Sequence, residues 1–279
     1  MEVLFLKWNK LKTRVISAVV LVALLLIVTF APVSVFTFVL CAASFVVLHE
    51  LMVTFNQNTK RSVVIANYIF AFFYMLSAFV LKETGNTLMY MITILFVMAL
   101  LTLSVLNNDE IKFSDVCTSL FLVIYSVFFL MHLSFIRNME NGLAYVFLTF
   151  IGAWLTDTMA YFSGNLFGKH KLIEKVSPNK TVEGAVGGIV GAVVFFIIYG
   201  LVLSHIGYNV SFFRLVILSI LCGIFAQLGD LSASVMKRAY SAKDFGNLIP
   251  GHGGLLDRID SFIFVIPVVY YFVIYFPIL

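Results

Sequence analysis

The carboxyl-terminal part of the sequence sets acidic, basic and glycine residues close together in a pattern suited to phosphate chemistry. It reads Gln227, Asp230, Ser234, Lys237 and Arg238, then Lys243-Asp244, Pro250-Gly251-His252-Gly253-Gly254 and Asp257-Arg258-Ile259-Asp260. Gln227, Asp230, Ser234 and Lys237 follow steps of three, four and three, which on a helix draws one polar stripe along an otherwise apolar surface. The stripe ends in two cations, a glycine-rich turn follows, and a pair of carboxylates opens the last apolar segment, so groups from two helices can converge. Each piece also has an ordinary reading. Asp257 or Asp260 caps the last helix, where the dipole favours negative charge; Lys237, Arg238 and Lys243 are positive-inside residues or bind anionic headgroups. Capping alone does not require Lys-Asp, His-Gly-Gly and Asp-Arg-x-Asp within eighteen residues. His252 stands apart, because a histidine in a glycine turn serves equally well as a structural hydrogen-bonding group.

A second group precedes it: Asp157, Tyr161, Gly164, Gly168 and Lys169, then Ser177-Pro178-Asn179-Lys180-Thr181-Val182-Glu183-Gly184. Asp157, Tyr161, Gly164 and Gly168 recur at helical spacing, placing a carboxylate, a phenol and a smooth glycine surface on one face. A charge at membrane depth is costly and needs a partner or a purpose. The bland alternative pairs Asp157 with a neighbouring helix and uses the glycines for close packing. Gly164 to Lys169 approaches a phosphate-binding loop, but three residues separate the glycines where the Walker pattern has four, and His170 replaces the hydroxyl residue. It is not a Walker motif. Ser177-Pro178 reads as a helix N-cap with proline at the first helical position, or as a substrate contact through Ser177. Lys180 and Glu183 would then sit just inside the new helix. Gly184, Gly187, Gly188 and Gly191 read as helix-packing residues.

The elements that carry these groups must lie in a bilayer. Of 279 residues, 62% are apolar and 11% charged, and the mean hydropathy is +1.05. Thirty Phe, twelve Tyr and apolar runs near twenty residues exclude a disordered tail, a disulfide scaffold and an ordinary cytosolic enzyme. Channel, transporter, assembly scaffold and intramembrane enzyme remain. The fold class is all-α, a polytopic integral membrane protein with about nine transmembrane helices. These are predicted near 15–30, 33–49, 63–81, 88–106, 116–136, 142–163, 184–205, 213–234 and 260–279, the first two divided only by Ala31-Pro32. Residues 1–141 form an amino-terminal hydrophobic multi-span region and 142–279 a carboxyl-terminal catalytic region of one continuous membrane domain. The opening basic segment imitates a signal peptide, but further spans follow at once, so it reads as a retained first helix.

Nine spans with a cytoplasmic amino terminus segregate the charges. Lys7, Lys10, Lys12, Arg14, Lys60, Arg61, Lys112, Lys169, Lys171, Lys175, Lys180, Lys237, Arg238, Lys243 and Arg258 fall on one side, and Lys82, Arg137 and Arg214 on the other. Basic residues are retained in the cytoplasm, so the expected placement is a cell (inner) membrane with both motifs on the cytoplasmic face. Cys41, Cys117 and Cys222 fall in or beside apolar runs and read as free thiols.

The run Ser234-Val235-Met236-Lys237-Arg238, Lys243-Asp244, Pro250-Gly251-His252-Gly253-Gly254, Asp257-Arg258-Ile259-Asp260 resembles the signature of phosphatidate cytidylyltransferases, also called CDP-diacylglycerol synthases, and departs from it nowhere. Asp157-Thr158-x-Ala160-Tyr161 and Ser177-Pro178-x-Lys180-Thr181-x-Glu183-Gly184 resemble that family's second conserved region, so the likeness covers roughly the carboxyl-terminal half. It implies transfer of a cytidylyl group from CTP to phosphatidic acid, giving CDP-diacylglycerol and pyrophosphate. Both motifs lie on one membrane face, as a site shared by a lipid and a soluble polyanion requires. The resemblance and the placement of the residues assign Asp230 and Asp257 as magnesium ligands, with Asp260 as a third acidic group serving the outer shell or a second ion. Lys237, Arg238, Lys243 and Arg258 clamp phosphates, with Lys180 contributing from the other loop. Asp157, Ser177, Ser234, Asp244 and His252 complete the substrate contacts. CTP and phosphatidic acid are the expected partners; nucleic acid is not, and a homodimer is left open.

Other classes stay in view. An ion-coupled transporter would also place Asp157 and Asp230 at membrane depth, a lipid or polyprenol kinase would share the polar helices, and a scaffold would give the stripe no purpose. The magnesium assignment requires Asp230 and Asp257 to reach a common ion from the last two helices.

Overall fold

In hydrocarbon a backbone satisfies its own polar groups as helix, and the apolar runs of this chain do so. The computed structural model describes residues 2–55, 60–80 and 85–279, with backbone alone for 2–14, 80 and 85–87. Lys82 and the side chains of Lys7, Lys10, Lys12 and Arg14, which entered the charge argument, lie outside what is described. Among the described residues there are nine helices: α1 (Glu2–Phe30), α2 (Val33–Phe55), α3 (Arg61–Val80), α4 (Gly85–Leu106), α5 (Phe113–Asn138), α6 (Gly142–Phe167), α7 (Val182–His205), α8 (Phe212–Ala239) and α9 (Leu256–Tyr275). Helices α2 to α9 are long and apolar enough to cross a membrane, and Val15–Phe30 of α1 adds a shorter apolar stretch. The chain is a multi-pass membrane protein. Large apolar side chains such as Ile27, Phe38, Val105 and Phe213 are exposed along these helices, an arrangement that lipid solvates and water would not.

The expected spans are found with shifted ends. The penultimate helix runs on to Ala239, and the last begins at Leu256, so Lys237 and Asp257 are both helical residues with fixed directions. One short sheet interrupts the all-helical plan. Strands β1 (Lys171–Ile173) and β2 (Ser177–Thr181) pair antiparallel, Lys171 opposite Thr181 and Ile173 opposite Ser177. Helices α5 and α6 each contain one wide π turn, at Ile124–Phe128 and Ile151–Leu155.

The fold comprises two compact units, residues 1–134 with 244–256, and residues 135–243 with 257–279. In the first, Val47, Leu48 and Leu51 of α2 and Leu100 of α4 are fully buried. The Phe70 and Phe96 rings of α3 and α4 meet at a tilt with centroids 4.3 Å apart, and Thr37 and Ser134 share a buried hydrogen bond of 2.6 Å. Lys60 pairs with Glu110 and donates to Asn107 at 3.0 Å.

In the second unit, small residues bring helices together. A Cβ built at Gly184 would lie 2.8 Å from the Ala160 carbonyl, and one at Gly188 would lie 3.0 Å from both Ala160 Cβ and the Thr156 carbonyl. Cβ atoms at Gly187 and Gly191 would collide with Ser163 and Met159. The glycine face of α7 is therefore filled by α6, as the packing reading of the sequence anticipates. Gly188→Leu is expected to destabilise the protein by about 1–3 kcal/mol or more. A lowered thermal midpoint in detergent relative to Val190→Leu, on an exposed face of α7, checks this. The π turn of α6 is packed just as closely: Gly152 abuts Cys222 of α8, and Phe150 stacks on Trp154 at 5.1 Å and on Phe262 of α9 at 5.3 Å. Asp157 follows directly, fixed by this three-helix contact.

Candidate active site

Four helical carboxylates and two lysines define the site within the second unit. Asp157 of α6 accepts a hydrogen bond from Ser261 Oγ of α9 at 2.7 Å. Asp230 of α8 pairs with Lys180 Nζ of β2 at 2.6 Å. Two turns further along α8, Lys237 Nζ lies 2.9 Å from Oδ1 of Asp257, in the first turn of α9. The Lys237–Asp257 pair is the deeper of the two, with side chains 16% and 2% exposed, against 25% and 31% for Lys180 and Asp230.

Gly229 sets the height of these groups. A Cβ there would fall 2.7 Å from the Asp260 carbonyl and 3.1 Å from Ser261 Cα, so α8 and α9 nearly touch at that level. Asp230 is thereby level with Asp260 and Ser261, and Asp257 sits one turn nearer the start of α9, beside Lys237. Asp157, Asp230 and Asp260 lie close enough for their charges to act on one another, with Lys180 acting on Asp157 and Lys237 on Asp260. Three carboxylates from three helices thus share one field, balanced by a lysine on either side.

The remaining sequence candidates are distributed around this cluster or apart from it. Gln227 donates to the Ala185 carbonyl of α7 at 3.1 Å and to Gly223 of its own helix at 2.9 Å, so it ties α8 to α7. Ser234 is half-buried, and Arg238, Lys243 and Arg258 are exposed. Asp244 and His252 belong to the first unit. Asp244 is exposed, and His252 has a buried Nδ1 with no hydrogen-bond partner among the described residues. Around His252 the chain turns tightly: Ile249 N donates to Gly253 O at 2.8 Å and His252 N to Ile249 O at 2.9 Å. Gly251 and Gly253 take φ of 78° and 85°, values open to glycine at low cost.

The Ser177-Pro178 cap expected from the sequence is not formed. Ser177 to Thr181 is strand β2, and helix α7 begins after Thr181, whose Oγ1 accepts the Gly184 N–H at 3.1 Å. Lys180 accordingly lies in the strand, not inside the helix. The register of β2 with β1 extends the chain past Ser177, and the Thr181 hydroxyl sits one residue before the first helical position, where it satisfies an otherwise unpartnered helix N–H. The same threonine fills the notch left by Gly164 and Gly168. Glu183, in the first turn of α7, reaches back to accept Lys169 N at 3.0 Å and His170 N at 3.2 Å, and it pairs with His170 Nδ1 at 2.6 Å. It is a brace for the hairpin.

Two side-chain contacts, one in each unit, escaped the sequence reading. Ser261 immediately follows Asp260, and the signal for it was the need of Asp157 for a partner. Glu50, a lone carboxylate in the apolar run of α2, is 6% exposed and accepts the Leu255 and Leu256 N–H groups, both at 2.8 Å. Carboxylate oxygens such as those of Asp230 are of the type a hard divalent cation takes. Among the described residues, no three His, Cys, Asp or Glu side chains form a ready-made metal site.

A sequence profile of the cytidylyltransferase family matches residues 12–276. The chain belongs to this family. Among its relatives, the phosphatidate cytidylyltransferase of Staphylococcus haemolyticus (strain JCSC1435) is 42% identical over 168 residues, 60% of this chain and 63% of that protein. That of Bacillus subtilis (strain 168) is 42% identical over 181 residues, 64% of this chain and 66% of that protein. That of Staphylococcus aureus (strain COL) is 40% identical over 167 residues, 60% and 62% respectively. The chain therefore spans a little under two thirds of the length of these relatives. The profile match reaches back through α2 to α5, well beyond the motifs that carried the resemblance.

Proposed function

We propose that this family member transfers the cytidylyl group of CTP to the phosphate of phosphatidic acid, releasing pyrophosphate and leaving CDP-diacylglycerol in the membrane. The observation that carries this reading is the arrangement of Asp230 with Lys180 and Asp257 with Lys237. Two lysines are parked on carboxylates of α8 and α9, next to the acidic pair Asp157 and Asp260. The names of the relatives support it.

The chemical problem is a meeting of polyanions, so neutralisation and alignment are the main tasks. A phosphate oxygen of phosphatidic acid attacks the α-phosphorus of CTP; the new phosphorus–oxygen bond forms as the bond to pyrophosphate breaks. A phosphate monoester has its second pKa at about 6, so the attacking oxygen is largely unprotonated at neutral pH and no side chain need act as a base. Lys180 and Lys237 clamp phosphate oxygens, while Asp230 and Asp257 hold each ammonium in place before substrate arrives. Arg238, Lys243 and Arg258 supply further positive charge to the nucleotide. Asp157, fixed by Ser261, and Asp260 orient the lysines and close the acidic cluster. Magnesium would be held by Asp230, with Asp257 or the nearer Asp260 as the second carboxylate, and would supply charge neutralisation on the triphosphate. The basic segregation in the sequence supports a cytoplasmic site in the cell membrane, where a lipid headgroup and a soluble nucleotide can meet.

Purified protein incubated with phosphatidic acid, magnesium and CTP labelled in the cytidine ring is expected to move label into the lipid extract. Label entering the lipid only from the γ-phosphate would identify a kinase and overturn the reading.

A further inference from the structure

Glu50 is not among the residues assigned to the reaction, yet it is held as firmly as any of them. A carboxylate buried in a membrane helix is costly and is retained where it is hydrogen-bonded to a purpose. Within the first unit, both of its oxygens are engaged by consecutive N–H groups, those of Leu255 and Leu256. Leu256 is the first residue of α9, and the donors at a helix start lack intrahelical partners. Capping is ordinarily the work of a Ser, Thr, Asp or Asn next to the helix; here it comes from α2, and the helix dipole favours the charge.

The glycine turn is shaped around the same carboxylate. A Cβ at Gly254 would fall 2.7 Å from each Glu50 oxygen, and one at Gly246 would fall 2.8 Å from Oε1. One turn along α2, Thr54 Oγ1 donates to the Phe245 carbonyl at 3.3 Å. The segment from Phe245 to Leu256 is thus held at both ends by α2. A cavity of about 550 Å³, lined by His49, Glu50, Phe245 and Asn247 among others, lies beside the contact and offers room into which a loosened segment would relax.

We infer that Glu50 is a positioning residue: from α2 it takes the N–H groups of Leu255 and Leu256 and clamps the glycine turn, so it fixes the segment that leads in sequence into Asp257. The inference rests on the cytidylyltransfer reading for its activity readout. Its structural half is read separately.

The test compares the parent with Glu50→Gln, Glu50→Asp, Glu50→Ala, Gly254→Ala and the Glu50→Ala/Gly254→Ala double variant. Rates are measured per folded molecule, together with hydrogen–deuterium exchange over residues 244–256. Glu50→Gln is expected to lower kcat by about tenfold or more, leave KM for CTP nearly unchanged, and speed exchange in that segment but not in α7. Glu50→Asp, which keeps the charge, is expected to retain more activity than Glu50→Gln. Gly254→Ala should impair the parent strongly but add little in the Glu50→Ala background, where the carboxylate it strikes is gone. Unchanged kcat in Glu50→Gln, a lowered melting temperature with kcat per folded molecule preserved, unchanged exchange, or fully multiplicative effects of Glu50→Ala and Gly254→Ala would each overturn the inference. A parent that forms no CDP-lipid defeats the functional reading instead, and the exchange comparison still decides whether Glu50 clamps the segment.

Discussion

Asp230→Asn is expected to reduce cytidylyl transfer by about 10²- to 10³-fold, the scale of losing one preorganised electrostatic contact in an active site, while the protein stays folded. The two halves of that expectation have different causes. Asp230 and Lys180 are 31% and 25% exposed, and a pair so open to solvent contributes on the order of 0–1 kcal/mol to stability. The fold therefore tolerates the change. The chemistry does not, because the substitution removes the charge that holds Lys180 and one of the three carboxylates that act on each other across α6, α8 and α9. Steady-state rates at saturating and limiting magnesium, with thermal melting in the same detergent, give both halves. Activity above half that of the parent at limiting magnesium would remove Asp230 from the proposed ion site.

Asp257→Ala has the opposite signature. Its side chain is 2% exposed and lies against Lys237, itself 16% exposed, so the substitution withdraws the carboxylate from a buried ammonium. Breaking such a pair from one side costs on the order of 3–5 kcal/mol, and a large fall in the melting temperature is expected together with lost activity. Replacing both partners, Lys237→Met with Asp257→Leu, is expected to recover most of the stability, since an apolar pair of similar volume is often as stable as a buried ion pair. Activity should not return. A double variant that is both stable and active would reduce the pair to a packing device and leave the phosphate clamp to other cations.

The two lysine–carboxylate pairs also bear on the order of events. Lys180 and Lys237 are already paired with carboxylates, so in the proposed reaction binding of CTP would exchange one set of charge-assisted bonds for another without exposing bare charge. The glycine notches serve the same end. Gly229 lets α9 come within van der Waals reach of α8, and Gly164 and Gly168 make room for the Thr181 cap that ends the strand bearing Lys180.

Much of the molecule follows from the sequence by itself, because a bilayer acts on residues locally. Nine apolar stretches had to become helices wherever they lay, since each must satisfy its own backbone, and the stripe Gln227, Asp230, Ser234, Lys237 followed from helical period alone. The signature around Asp257-Arg258-Ile259-Asp260 led to the family, which the profile match over residues 12–276 shows. Tertiary structure decided the partnerships. Which lysine meets which aspartate, that Asp157 leans on Ser261 104 residues away, and that α9 is capped by Glu50 from 205 residues upstream are facts about distances that no local pattern encodes. The Ser177-Pro178 cap failed for a related reason: the dipeptide suits a helix start, but pairing with Lys171–Ile173 extends it as strand, and Thr181 takes over the cap. Solvent preference is read residue by residue, whereas capping and charge pairing are settled only when remote segments compete for the same few donors and acceptors.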